Sequence, residues 1–206
     1  MLLELGADVN ARKKYDTTPL HEAALLGRVE GIRTLLEHGA DVNARKNDDT
    51  TPLHQAAGSG SVDAIRVLLE HGADVNARKN DDTTPLHQAV GSGSVEAMRV
   101  LLEHGADVNA RKKDDTTPLH VSVLCASIET VRMLLELGAD VDARKSDGTA
   151  PLHIAAERGY VEDTRVLLEH GANVSAEDSR GRTASQVASE MGKEEIIALL
   201  LEHGTK

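Results

Sequence analysis

The sequence predicts an all-α repeat solenoid, in which stacked helix-turn-helix units are joined by hairpin loops, and three observations predict it. The tetrapeptide Thr18-Pro19-Leu20-His21 returns at Thr51, Thr84 and Thr117, then as Ala150-Pro151-Leu152-His153 and, degraded, as Thr183-Ala184-Ser185-Gln186, in steps of 33 residues. A second marker, Gly-Ala-Asp-Val, begins at Gly6, Gly39, Gly72, Gly105 and Gly138, with Gly-Ala-Asn-Val at Gly171, again in steps of 33. The chain has no Trp, no Phe and only two Tyr (Tyr15 and Tyr160). Its core must therefore be built from Leu, Val, Ile and Ala, which suits thin, closely packed helices better than a deep ligand pocket.

The unit from Asn47 to Lys79 shows the elements in order. Thr51 is placed to cap a first helix whose first position is Pro52, where a missing N–H costs nothing. Gly60 is expected to stop that helix after about two turns. A second helix opens after Ser61, a capping residue, with Asp63 in the first turn against the helix dipole. Val62, Ile65, Leu68 and Leu69 fall at helical spacing and are expected to form its buried stripe, and Gly72 ends it. Residues 73–82 then run as a polar loop or hairpin rich in turn formers. Neither helix is long enough to stand alone, so each pair must bury its apolar side against the pairs before and after it.

The boundaries follow from the period. A single array over residues 1–206 is expected, with a partial repeat at 1–13, full repeats at 14–46, 47–79, 80–112, 113–145 and 146–178, and a C-terminal capping repeat at 179–206. Residues 1–13 look like a second helix and loop without their first helix, as in a piece cut from a longer array, and Leu2 and Leu3 are expected to be exposed. The repeats at 47–79 and 80–112 differ only at Ala57/Val90, Asp63/Glu96 and Ile65/Met98, the mark of internal duplication.

Composition removes several functions. The formal charge is −11, with 34 acidic and 23 basic residues, which disfavours a surface that neutralises phosphates. No apolar run is long enough to span a membrane, and the opening Met1-Leu2-Leu3-Glu4-Leu5 has neither the basic start nor the apolar length of a signal peptide. A soluble cytoplasmic monomer is expected, without nucleic-acid or membrane partners. The single Cys125 agrees with a reducing compartment.

A Thr-Pro-Leu-His-x-Ala signature at a period of 33 resembles the ankyrin-repeat family, and the resemblance covers essentially the whole chain. It implies a non-catalytic scaffold that binds a protein partner on the concave face formed by loop tips and first helices. It also implies that His21, His54, His87, His120 and His153 hydrogen-bond within and between repeats. The second histidine column, His38, His71, His104, His170 and His203, precedes the helix-ending glycines, where a histidine suits the negative end of the helix dipole. No nucleophile recurs beside either column, no base motif surrounds Cys125, and no Gly-rich phosphate loop, H-E-x-x-H or paired-carboxylate pattern is present, so catalytic residues are not expected.

Two candidate sites remain. After the common scaffold is subtracted, the end of the first helix reads Leu25-Leu26, Gly58-Ser59, Gly91-Ser92, Leu124-Cys125 and Glu157-Arg158 along the array. Tyr15, Leu25, Leu26, Ser59, Ser92, Leu124, Cys125, Glu157 and Arg158 are therefore the expected partner-binding residues, since exposed apolar groups at variable positions are candidate hot spots. The competing expectation is that Leu25 and Leu124 complete the core. In the loops, the Asp-Gly turn usual in this family survives as Asp147-Gly148 but has become Asp48-Asp49, Asp81-Asp82 and Asp114-Asp115. No cofactor is required; calcium at these paired aspartates is the alternative function, because adjacent carboxylates with loop carbonyls and waters supply oxygens of the kind calcium takes. Against it stands the basic column beginning at Arg12-Lys13, Arg45-Lys46 and Arg78-Lys79, which can satisfy the same carboxylates.

Overall fold

The computed structural model describes residues 7–204, so the expected exposure of Leu2 and Leu3 lies outside the described residues. Among the described residues there are twelve α-helices, a 3-10 turn at Lys14–Asp16 and one isolated β-bridge between Glu177 and Thr183. The chain divides into two compact units, Met1–Asp107 and Val108–Lys206.

The first unit holds α1 (Pro19–Leu25), α2 (Val29–Glu37), α3 (Pro52–Gly58), α4 (Val62–Glu70), α5 (Pro85–Ser92) and α6 (Val95–Glu103). First helices pack on first helices, α1 on α3 and α3 on α5, while α2, α4 and α6 form the second layer. The second unit repeats the pattern with α7 (Pro118–Leu124), α8 (Ile128–Glu136), α9 (Pro151–Arg158), α10 (Val161–Glu169), α11 (Ala184–Glu190) and α12 (Glu194–Gly204).

Local chemistry sets the helix ends. Thr51 is extended, and its hydroxyl accepts the His54 amide at 3.4 Å, with Pro52 at the first helical position. The chain leaves α3 at Gly58, Ser59 caps it, and Gly60 makes the turn at φ +67°. That conformation is open to glycine without a Cβ penalty. The equivalent position in the second unit is Ala126 at φ +54°, one of few non-glycine residues in this region.

The core is built as the composition requires. Leu20, Leu53 and Leu86 of the first helices and Ile32, Ile65, Leu68, Met98 and Leu101 of the second are fully buried. Alanines such as Ala56, Ala57 and Ala89 let the first helices approach closely. Each buried Leu or Ile contributes roughly 1.5–3 kcal/mol, so Leu53→Ala is expected to cost about 2–5 kcal/mol.

One expectation is corrected. The buried residues of α4 are Ala64, Ile65, Val67 and Leu68, whereas Val62 and Leu69 are only half-buried. Because α4 packs on α3 and on both α2 and α6, its buried arc is wide and centred between these pairs. Val62 and Leu69 fall on its edges.

Candidate functional site

The histidines of the first column are structural. The Thr51 amide donates to His54 Nδ1 at 3.3 Å, which leaves Nε2–H to donate to the Thr83 carbonyl of the next repeat at 2.9 Å. His21 makes the same bridge to Thr50 at 2.9 Å, His120 to Thr149 at 3.1 Å and His153 to Arg182 at 3.0 Å. Burial, partly offset by the carbonyl bond, pushes His54 and His120 down to about 4 and also lowers His21. The rings of His21, His54 and His120 are therefore neutral, with both nitrogens committed, and are unavailable as acid–base groups near neutral pH. In the second column, Nδ1–H donates to the carbonyl four residues earlier, as in His38 to Thr34 and His71 to Val67, both at 2.8 Å. The same carbonyl also accepts the histidine's own backbone amide, at 3.2 Å for both His38 and His71, so the ring adds a second bond to an acceptor of the last turn.

Asparagines tie successive loops. Asn43 Nδ2 donates to Gly72 O at 3.2 Å, and its Oδ1 accepts the Asp74 amide at 2.9 Å. Asn10 and Asn76 do the same one repeat earlier and later. In the second unit Asp142 keeps only the acceptor half, taking the Asn173 amide at 2.8 Å.

Each aspartate pair is bonded within the protein. Asp48 Oδ1 accepts the Thr50 amide at 3.2 Å and Oδ2 accepts the Thr50 hydroxyl at 2.8 Å; Asp81 with Thr83 and Asp114 with Thr116 match it. Burial alone would raise the Asp48 and Asp114 carboxyls, but these hydrogen bonds and nearby lysines outweigh it and hold both below the usual carboxylate range. The second members, Asp49, Asp82 and Asp115, adopt φ of 60°, 61° and 59° and face Arg45, Arg78 and Arg111 at 3.5, 3.7 and 3.5 Å. Among the described residues no group of three or more His, Cys, Asp or Glu side chains could hold a metal ion.

The variable positions lie on the surface. Leu25 and Leu26, at the end of α1, are 50% and 61% exposed, Leu124 is 45% exposed and Tyr15 is 61% exposed. None of them is core. In the first unit Leu25, Gly58, Gln55, Gln88, Lys46 and Asp48 surround a groove of about 280 Å³. Tyr15 stands in an adjoining cleft with Lys46, Asn47 and Asp48 and carries Lys14 Nζ 4.8 Å above its ring. Ser59 and Ser92 are exposed, but their hydroxyls donate to the Ala56 and Ala89 carbonyls of their own helices. In the second unit Leu124, Cys125, Glu157 and Arg158 are exposed at the ends of α7 and α9. Glu157 there joins Asp147, Arg180, Arg182 and Met191 around a cleft of about 330 Å³. Two salt bridges of 2.7 Å, to Asp178 and Glu190, fix Arg182 in it.

Gln55 and Gln88 have no place among the residues expected from the sequence, and Lys46 is expected only as a neutraliser of the aspartates. A signal for the glutamines was present: the variable position inside Thr-Pro-Leu-His-x-Ala reads Glu22, Gln55, Gln88, Val121, Ile154 and Val187, as variable as the helix ends.

No curated protein sequence matches the chain. Among solved structures, the ankyrin repeat domain of Bcl-3, described as a unique member of the IkappaB family, is 31% identical. That match covers 98% of this chain and 89% of the other, with a TM-score of 0.86. The human ASB11 ankyrin repeat domain is 34% identical over 97% of this chain and 90% of the other, also with a TM-score of 0.86. A family model of three ankyrin repeats matches residues 1–79, 76–145 and 137–206. With the period, the histidine bridges and the loop asparagines, these matches show that the chain belongs to the ankyrin-repeat family.

Proposed function

We propose that the chain is a non-catalytic protein-interaction scaffold, a cytoplasmic monomer that engages its partner through loop tips and first helices. Ankyrin repeats generally mediate protein–protein contact, and among the described residues no helix is long and apolar enough to cross a membrane. One observation carries the reading. On the side of the loop tips and first helices, Tyr15, Leu25, Leu26 and Leu124 are 45–61% exposed, whereas the leucines that recur in the first helices, Leu20, Leu53, Leu86, Leu119 and Leu152, are buried. A side chain free of packing duty and bordering a groove is available for a partner. Ser59, Ser92, Cys125, Glu157 and Arg158 belong to the same surfaces.

Capture of protein from a lysate by the tagged chain, repeated with Leu25, Leu26 and Leu124 all changed to Ser, tests the proposal. Capture is expected to be lost while the melting temperature stays nearly unchanged. A large fall in melting temperature would assign the leucines to the core and remove the site.

The calcium alternative asks for carboxylate oxygens turned outward to an ion at about 2.3–2.6 Å. The pairing of Asp48, Asp81 and Asp114 with threonines, and of Asp49, Asp82 and Asp115 with arginines, supports the scaffold reading instead.

A further inference from the structure

The groove of the first unit has an unbalanced chemistry. Its one anion, Asp48, spends both oxygens on Thr50 and lies 3.7 Å from Lys79 Nζ. Neighbouring acids are engaged as well, Glu22 by Lys13 at 2.9 Å and Asp49 by Arg45 at 3.5 Å. Lys46, half-buried, makes no salt bridge among the described residues, although together with Lys79 it helps to lower the Asp48 carboxyl, and it borders both the groove and the Tyr15 cleft. In a chain of formal charge −11, this is a local positive spot with an exposed leucine on one side and an exposed tyrosine on the other.

The groove also holds unused hydrogen-bonding groups. The side-chain amides of Gln55 and Gln88 are half-buried yet have no hydrogen-bond partner among the described residues. Polar groups held in a cleft without partners stand ready for those of a ligand, and amides suit the N–H and C=O groups of an extended backbone. The floor is Gly58, where the missing side chain matters because even a Cβ would come 3.1 Å from Gln88 Oε1.

We propose that this groove takes an extended peptide segment in which a carboxylate, seated on Lys46, is flanked by apolar side chains lying against Leu25 and Tyr15. The proposal rests on the scaffold reading and adds the chemistry of the partner. Backbone contacts to Gln55 and Gln88 hold the strand, and the single charge sets its register.

The test uses the full chain and a random octapeptide phage library, followed by fluorescence anisotropy with synthetic, fluorescein-labelled copies of the selected peptides. Selected sequences are expected to carry Asp or Glu between apolar residues. Lys46→Gln should weaken them about tenfold, the weight of one charge-assisted hydrogen bond. Changing the peptide's Glu to Gln should cost the same with the parent and nothing further with Lys46→Gln. Gly58→Leu should abolish binding by filling the floor. Gly58 has helical backbone, and a Cβ there crowds the movable end of the Gln88 side chain, so the melting temperature of this variant is measured beside its binding and is expected to stay close to the parent's. Selected peptides that are basic or uncharged, yet still lost to Gly58→Leu, would keep the groove and overturn the carboxylate proposal. Peptides that bind all three proteins alike would overturn both the groove and the proposal.

Discussion

His54 Nε2 lies 2.9 Å from the carbonyl oxygen of Thr83, so one neutral ring joins the cap of its own helix to the loop of the next repeat. Protonating that ring would charge a buried group and turn the Nδ1 acceptor into a donor facing the Thr51 amide. Because the folded value is depressed to about 4 while the unfolded ring titrates near its ordinary value of about 6.5, the unfolded chain binds the extra proton first. Stability is then flat above about pH 6.5 and falls as the pH drops towards 4, by up to roughly 1.4 kcal/mol per pH unit for each such histidine. His120, also near 4, acts in the same window. Urea denaturation at pH 7.5 and pH 5 checks this, with a lower midpoint expected at pH 5. A midpoint that did not fall would contradict the buried neutral rings.

Ala126 occupies at φ +54° the turn that Gly27, Gly60, Gly93, Gly159 and Gly192 make elsewhere. A Cβ in the left-handed region costs roughly 1–2 kcal/mol, and glycine recovers most of it after its larger unfolded entropy. Ala126→Gly is expected to stabilise the protein by about 0.5–1 kcal/mol, read as a higher melting temperature. The reverse change, Gly60→Ala, should lower it, the more so because its Cβ would meet Ser94 at 3.1 Å.

Asp163 replaces the buried Ala64 and Ala97 of other repeats; it is 5% exposed, and its Oδ1 has no hydrogen-bond partner. Burial, with a smaller push from Glu162, raises its carboxyl above the ordinary range despite its own backbone amide. A group whose folded value is raised favours the fold only while protonated, so its cost appears as the pH climbs above about 3.9. Asp163→Ala should stabilise by about 1–3 kcal/mol at pH 7, and the gain should shrink at pH 4. A neutral or destabilising result at pH 7 would mean that the carboxylate is satisfied in solution.

The aspartate turns supply a test of the calcium alternative. Asp49, Asp82 and Asp115 hold positive φ at the place of Gly148 and meet arginines across exposed ion pairs worth about 0–1 kcal/mol each. Changing all three to Gly is expected to leave the melting temperature equal or higher. Millimolar calcium against chelator should move neither protein. A calcium-dependent rise in the parent that vanishes in the triple variant would establish the ion instead.

The period, the cap at Thr51 and the start of α4 after Ser61 were legible because each depends on residues close in sequence, although the Ser61 side chain makes no capping hydrogen bond. The register of burial was not: Val62 and Leu69 match the helical spacing as well as Ala64 and Val67 do. Only the crowding of α4 by three neighbours decides between them. Ala126 could have been found by aligning it with Gly60 and Gly93. The exposure of Leu25 follows from where α1 ends relative to α3, and the unpaired state of Lys46 from which acids reach which cations. Both are settled by side-chain geometry across repeats, beyond any local pattern.

Amide hydrogen exchange of the full chain, alone and saturated with a selected peptide, tests the central claim most directly. New protection is expected in the Tyr15 turn, in residues 46–50 and in the backbone amides of α1 and α3, with α2, α4 and α6 unchanged. Protection that appeared instead on α2, α4 and α6 would place the partner on the opposite layer of the first unit and contradict the account.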